Sequence, residues 1–104
     1  MKPEVRTTPE ADRQILDAST WWGANRPASP DLLDAELDRA FTLLAEAPDI
    51  GRRYRMREIP GVRRILLSQS RYHVYYVHDE KRGEVLVLAI WSAVRGRGPR
   101  VRRP

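Results

Sequence analysis

The sequence predicts an α+β fold, a two-layer sandwich in which a helical hairpin packs on an antiparallel sheet in the order β-α-α-β-β-β. Three observations predict it. Between residues 8 and 48, two stretches carry apolar residues at the three-and-four spacing of amphipathic helices. Between residues 62 and 91, three runs rich in β-branched and aromatic residues are separated by polar turns. The chain has 104 residues and no cysteine, enough for one domain and one core held without disulfides.

Glu4 to Thr8 is short and β-branched enough for a first strand. The run "TPEA" then sets a capping hydroxyl at Thr8, a proline at the first helical position and an early acid at Glu10, which together open a helix. Ala11, Ile15, Ala18 and Trp22 form its buried stripe, with Leu16 on the flank, and "GANRPASP" interrupts it. Trp21 and Trp22 lie about 100° apart on a helix, so only one can centre on that stripe. Trp22 continues it from Ala18, which leaves Trp21 facing an edge or a partner. Ser29 is the expected cap of the second helix, Pro30 and Asp31 open it, and Pro48 stops it. Its apolar face is Leu33, Leu37, Ala40, Phe41 and Leu44.

Val62 to Ser68 and Tyr72 to His78 read as a hairpin joined by "QSR", and "DEKRG" makes the next turn. Glu84 to Trp91 is apolar at consecutive positions, the pattern of a strand covered on both faces and therefore interior to its sheet. The final stretch, "VRGRGPRVRRP", has too little apolar content to fold alone. The expected division is a domain at 1–94 and an arginine-rich tail at 95–104.

The net charge of +5 conceals an asymmetry: residues 1–50 carry five basic and ten acidic side chains, and residues 51–104 carry fourteen basic and four acidic. Such polarity points to an anionic partner. Its focus is "RRYRMREIPGVRR", Arg52 to Arg64, with six arginines and no lysine around a proline-glycine turn. Planar guanidinium forks hold phosphate and carboxylate bidentately. If the stretch is extended, Arg53, Arg55 and Arg57 share one side and Arg52, Tyr54 and Met56 the other. The alternative is that some of these arginines pair with Glu46, Asp49 and Glu58 and the rest are solvated. Two histidines without cysteine give no expectation of a metal cofactor. No apolar run approaches the ~20 residues of a membrane span, and the N-terminus lacks the apolar core of a secretory signal. A cytosolic protein without membrane contact is expected.

Five segments occur in a telling order: "TPEADRQILDASTWW", "LDRAFTLLAEAPDIG", "REIPGVRRILL", "YHVYYV" and "VLVLAIWSAVRGRGP". With a helix after TxxA, a second helix running into P…G, PGxR opening a strand, an aromatic YxxYY strand and a last apolar strand ending in arginine, the chain resembles the ParE/RelE superfamily of toxins from type II toxin-antitoxin modules. The resemblance implies a small bacterial protein that arrests growth and is neutralised, in a hetero-oligomer, by a cognate antitoxin with an acidic extended segment. Members divide between ParE-like inhibitors of DNA gyrase and RelE-like endoribonucleases that cut messenger RNA on the ribosome.

RNA cleavage at the 2′-hydroxyl needs a base, a cation for the phosphorane and an acid for the leaving oxygen. Nuclease members of the superfamily supply these from the second, third and fourth strands. Here Arg63 and Arg64 suit the cation role, but the third-strand position where such relatives place a cation reads Tyr72, and the C-terminal position that often holds histidine reads Ser92. Serine does not replace imidazole as a proton shuttle near neutral pH. Arg63, Tyr72 and Arg95 are the set left for a weakened nuclease. His73 points to the face opposite Tyr72, and His78 opens a turn. These departures favour the ParE-like branch, without catalytic residues, in which Arg52, Arg53, Arg55, Arg57, Arg63, Arg64, Tyr72, Arg95 and Arg97 bind DNA gyrase or the antitoxin. The RelE-like alternative has the ribosome and messenger RNA as partners.

Overall fold

The computed structural model describes residues 2–102, so the last two residues of the expected tail lie outside the described part. In chain order the elements are β1 (Glu4–Thr7), α1 (Pro9–Asn25), α2 (Leu32–Glu46), β2 (Arg52–Arg53), β3 (Val62–Leu67), β4 (Tyr72–Asp79) and β5 (Glu84–Ser92). The strands form one sheet in the order β1-β5-β4-β3-β2. The expected α+β sandwich is found, with two differences. The sheet is mixed, because β1 runs parallel to β5 while the other pairs are antiparallel. The helical hairpin and strands β2 to β4 all lie between these two strands in the chain, a connection long enough for the parallel pairing. A two-residue β2 is also added at the far edge, too short to show a period of two in sequence.

Thr8 caps α1 as expected, its hydroxyl accepting from the Ala11 amide at 3.0 Å. The helix continues through Gly23 to Asn25 and ends at Arg26, which precedes Pro27 and is therefore pushed out of helical conformation. The second helix begins at Leu32, not at Pro30. Ser29 contributes its carbonyl and not its hydroxyl, accepting from the Leu32 amide at 3.2 Å and from Trp22 Nε1 at 2.9 Å. Trp22 is buried and Trp21 is 47% exposed, as the 100° argument requires.

Both helices cover one face of the sheet. Ala11, Ala18, Trp22, Leu33, Leu37, Ala40 and Leu44 pack there against Leu67, Val74, Tyr76, Val85, Val87 and Ile90. Each large apolar side chain so buried contributes about 1.5–3 kcal/mol. One member of this face is charged. Glu36 is 7% exposed, and its carboxylate accepts from the Gln69 and Ser70 amides at 3.0 and 2.9 Å, so α2 caps the turn between β3 and β4. Burial opposes its charge, yet those two amides and Arg39 hold the carboxyl below its ordinary value.

Where β1 ends, α1 takes over the edge of β5. The Thr8 amide donates to the Val87 carbonyl at 3.1 Å and Gln14 Oε1 accepts from the Ile90 amide at 2.9 Å. The register jumps here, Tyr75 facing Ala89 and Tyr76 facing Val87, so Leu88 is the extra residue of a bulge. The bulge explains the consecutive apolar run: Val85, Val87 and Ile90 serve the helix side, and Leu88 and Ala89 serve the other.

That other face carries a second, smaller cluster of Ile59, Val62, Tyr75, Leu88 and Ala89. Among the described residues, no helix covers it. Tyr54, Met56 and Val101, from the segment after β2 and from the C-terminal stretch, pack over it instead. One domain thus has apolar packing on both faces of its sheet, and the arginine-rich segments are its cover.

Candidate functional site

Alternation along β3 sends Arg63 and Arg64 to opposite faces. Arg63 is on the helix side of the sheet margin, where Nη1 donates to the Gly51 carbonyl at 2.9 Å and Nε lies 3.9 Å from Asp49 Oδ1. The Gly51 amide donates to the Tyr76 hydroxyl at 2.9 Å, and His78 Nδ1 lies 2.9 Å from the same Asp49 oxygen. The hydrogen bond from His78, reinforced by the charges of Arg63 and Arg53, holds the Asp49 carboxyl below its ordinary value. Three side chains from β3 and β4 therefore pin the turn at Asp49–Gly51. A Cβ on Gly51 would stand 2.6 Å from the Tyr76 hydroxyl and 3.0 Å from the Arg64 carbonyl, so only glycine fits. Glu80 joins Asp49 and His78 in a group of potential metal donors lying within 4.8 Å of one another, but the Asp49 carboxylate is already shared by His78 and Arg63.

From this pinned turn the chain enters β2, whose Arg52 and Arg53 lie opposite Arg64 and Arg63. Arg52 therefore shares the open face with Arg64, and Arg53 shares the helix side with Arg63. Beyond β2, Tyr54 and Met56 turn onto the second cluster while Arg55 and Arg57 stay exposed. The predicted division into a charged side and an adhesive side is what the segment adopts.

Arg64 is held between rings. Its guanidinium lies 4.7 Å from the Tyr54 ring and 5.9 Å from the Tyr75 ring, and Nη1 donates to the Tyr75 hydroxyl at 3.2 Å. The two rings meet edge-on at 4.9 Å. Such stacking fixes the plane of the fork while leaving most of its donors unspent. Burial pushes the Tyr75 phenol above its ordinary value. His73 lies on the same face, its ring 5.8 Å from that of Tyr75. Burial, with the charges of Arg64 and Arg71, holds its imidazole below the ordinary value, so it is neutral at pH 7. Its register partners are Leu66, which is 44% exposed, and Trp91. Arg95 stacks on the Trp91 ring at 4.5 Å.

Among the described residues, Arg52, Arg53, Arg55, Arg57, Arg64, Arg95 and Arg97 form no ion pair; of the three acids considered for the segment, Asp49 pairs with Arg63 and His78 as that alternative expects, Glu46 pairs with Lys2, and Glu58 forms no ion pair. Of the six arginines from Arg52 to Arg64, only Arg63 has a carboxylate among the described residues. Tyr72 packs on the helix-side cluster, and its β3 partner Leu67 lies four residues from Arg63. Along a strand that separates Tyr72 from Arg63 by about 13 Å. Arg63, Tyr72 and Arg95 are therefore not brought together as one nuclease site. Tyr54, Tyr75, Trp91 and His73, which the sequence reading did not place at the site, line the open face with Arg64. Alternation ties Tyr75 and His73 to one face; what sequence leaves open is which face the helices take.

The profile of the family described as ParE toxin of type II toxin-antitoxin system, parDE, matches residues 5–96. A comparison with curated proteins gave no significant match. Among solved structures, the chain resembles the RelBE2 toxin-antitoxin complex of Mycobacterium tuberculosis at 24% identity and TM-score 0.63, covering 88% of this chain and 99% of that one. It resembles the chromosomal ParDE system of P. aeruginosa at 16% identity and TM-score 0.68, covering 88% and 96%. It also resembles a mutant E. coli RelE toxin in the free state at 18% identity and TM-score 0.57, covering 90% and 86%. At these identities the likeness is one of fold, shared by ParE and RelE toxins alike. The profile match reaches from β1 past the end of β5, and on that ground the chain belongs to the ParE toxin family of type II toxin-antitoxin systems.

Proposed function

We propose that this toxin arrests growth in the cytoplasm by binding DNA gyrase and blocking replication, acting through contact and without a catalytic centre of its own. The observation that carries this reading is the row of arginines at the sheet margin, Arg52, Arg55, Arg57 and Arg64, which no acidic side chain neutralises among the described residues. Desolvating them is favourable only against a partner that supplies anions, whether carboxylates of gyrase or phosphates of the DNA it holds. The ParE family assignment supports the same target. A cognate antitoxin is the second partner, and two features suit it. The M. tuberculosis relative was solved as a toxin-antitoxin complex. In addition, among the described residues β2 pairs with β3 at Arg63 and Arg64 alone, which leaves the outer edge of β3 from Ile65 to Leu67 for an added strand.

A ribosome-dependent endoribonuclease is the second reading, favoured by one arrangement: a neutral imidazole at His73 on the same face as the Arg64 cation. Induction of the chain in bacteria, with DNA, RNA and protein synthesis followed separately, tests the first reading against the second. Early loss of DNA synthesis with a DNA-damage response is the expected result. Immediate translation arrest with cut messages, removed by His73→Gln, would establish the second reading in its place.

A further inference from the structure

Residues 96–102 lie on the open face without helix or strand, and among the described residues they make no backbone–backbone hydrogen bond. Three contacts keep them there. Trp91 Nε1 donates to the Arg97 carbonyl at 2.8 Å. Gly98 sits so close to Tyr54 that a Cβ would collide with its hydroxyl, and the same Cβ would stand 3.9 Å from the hydroxyl of Tyr75. Val101, half-buried, packs on the second cluster.

Charge opposes these contacts. The segment brings Arg97, Arg100 and Arg102 to the face that already carries Arg64 and Arg95, and no acidic residue follows Glu84 in the chain. One hydrogen bond, one glycine contact and two half-buried side chains, Pro99 and Val101, set against like charges, place this segment at the low-stability end of the molecule. What it covers is well packed: Tyr75 is 1% exposed.

We propose that residues 96–102 are a displaceable strap, closed over Tyr54, Tyr75 and Trp91 and able to lift without unfolding the sheet. Lifted, it uncovers an aromatic floor edged by Arg64 and Arg95. A partner that needs this floor then binds with an affinity reduced by the fraction of closed chains. That consequence rests on the proposed function, whereas the opening itself does not.

Nitration by tetranitromethane tests the opening, because two adjacent tyrosines face opposite sides. Tyr75 lies beneath the strap, and Tyr76, 0% exposed, faces the helices. In the wild-type chain under native conditions Tyr75 is expected to react well ahead of Tyr76, a result that needs no variant. Gly98→Ala, whose Cβ must push the Tyr54 hydroxyl aside before the strap can close, and Val101→Ser, which loses the apolar anchor, should each speed Tyr75 nitration by about tenfold as the open fraction rises, with Tyr76 unchanged. Equal rates for Tyr75 and Tyr76 in the wild type would mean exposure by global unfolding and would overturn the strap. So would a folded Val101→Ser chain whose Tyr75 reacts at the wild-type rate. Failure of gyrase binding would reject the functional reading and leave these rates as predicted.

Discussion

Arg64→Ala is expected to abolish growth inhibition while leaving the fold intact, whereas Arg63→Ala should weaken the fold itself. The two neighbours differ because the strand sends them to opposite sides. Arg63 spends its guanidinium on the Gly51 carbonyl and the Asp49 carboxylate, inside the turn that launches the arginine segment. Arg64 has no carboxylate among the described residues and is oriented by the rings of Tyr54 and Tyr75. An oriented arginine near the centre of an interface is a typical hot spot, and its truncation costs about 2 kcal/mol or more, roughly thirtyfold in Kd. Loss of the ring contacts themselves costs only about 0.5–2 kcal/mol of stability. Arg64→Lys should recover little, since the ammonium lacks the planar fork. Colony counts after induction, at protein levels matched by immunoblot, check this. An Arg64→Ala chain as toxic as the wild type would remove Arg64 from the binding surface.

The largest effect on stability is expected at Glu36. Glu36→Ala would leave the Gln69 and Ser70 amides without their acceptor beneath α2, a loss of about 2–4 kcal/mol. For a domain of this size that lowers Tm by roughly 10–20 °C. Glu36→Gln should fall between, because its carboxamide accepts through one oxygen and turns a donor toward the other amide. The pH dependence follows from the lowered carboxyl. The folded state favours the charged form, so its contribution is complete above the ordinary value of 4.5 and is lost as pH falls through the folded value. Thermal melts of wild type and Glu36→Gln should accordingly differ at pH 7 and converge in acid. A gap that does not narrow would show that the carboxylate charge is not what holds the turn.

Much of the framework was legible in the sequence because its signals are local. Thr8 followed by Pro9 marks a helix start wherever it occurs, and the spacing of Ala11, Ala18 and Trp22 follows from helix geometry alone. The consecutive apolar run of β5 announced burial on both faces. What stayed hidden depends on partners distant in the chain. Glu36 reads as solvated until the turn 33 residues away docks on it. The two-residue β2 exists only because Arg63 and Arg64 pair with it. The bulge at Leu88 has no composition of its own, yet it decides which apolar residues serve which face.

The site shows the same limit. Alternation correctly separated Tyr72 from His73, but only the docked helices settle that Tyr72 faces inward and that His73, Tyr75 and Arg64 share the open side. The C-terminal stretch, too polar to fold alone, needs a single apolar residue, Val101, because the cluster that it covers is already built by the sheet.

The central claim is that a margin of uncompensated arginines stops the cell by gripping its target. The most direct measurement is the supercoiling activity of purified gyrase with purified toxin, run beside a cleavage assay on ribosome-bound messenger. Supercoiling should fall with wild-type toxin and recover with Arg64→Ala, while the messenger stays whole. Intact supercoiling together with cut messenger would contradict the account.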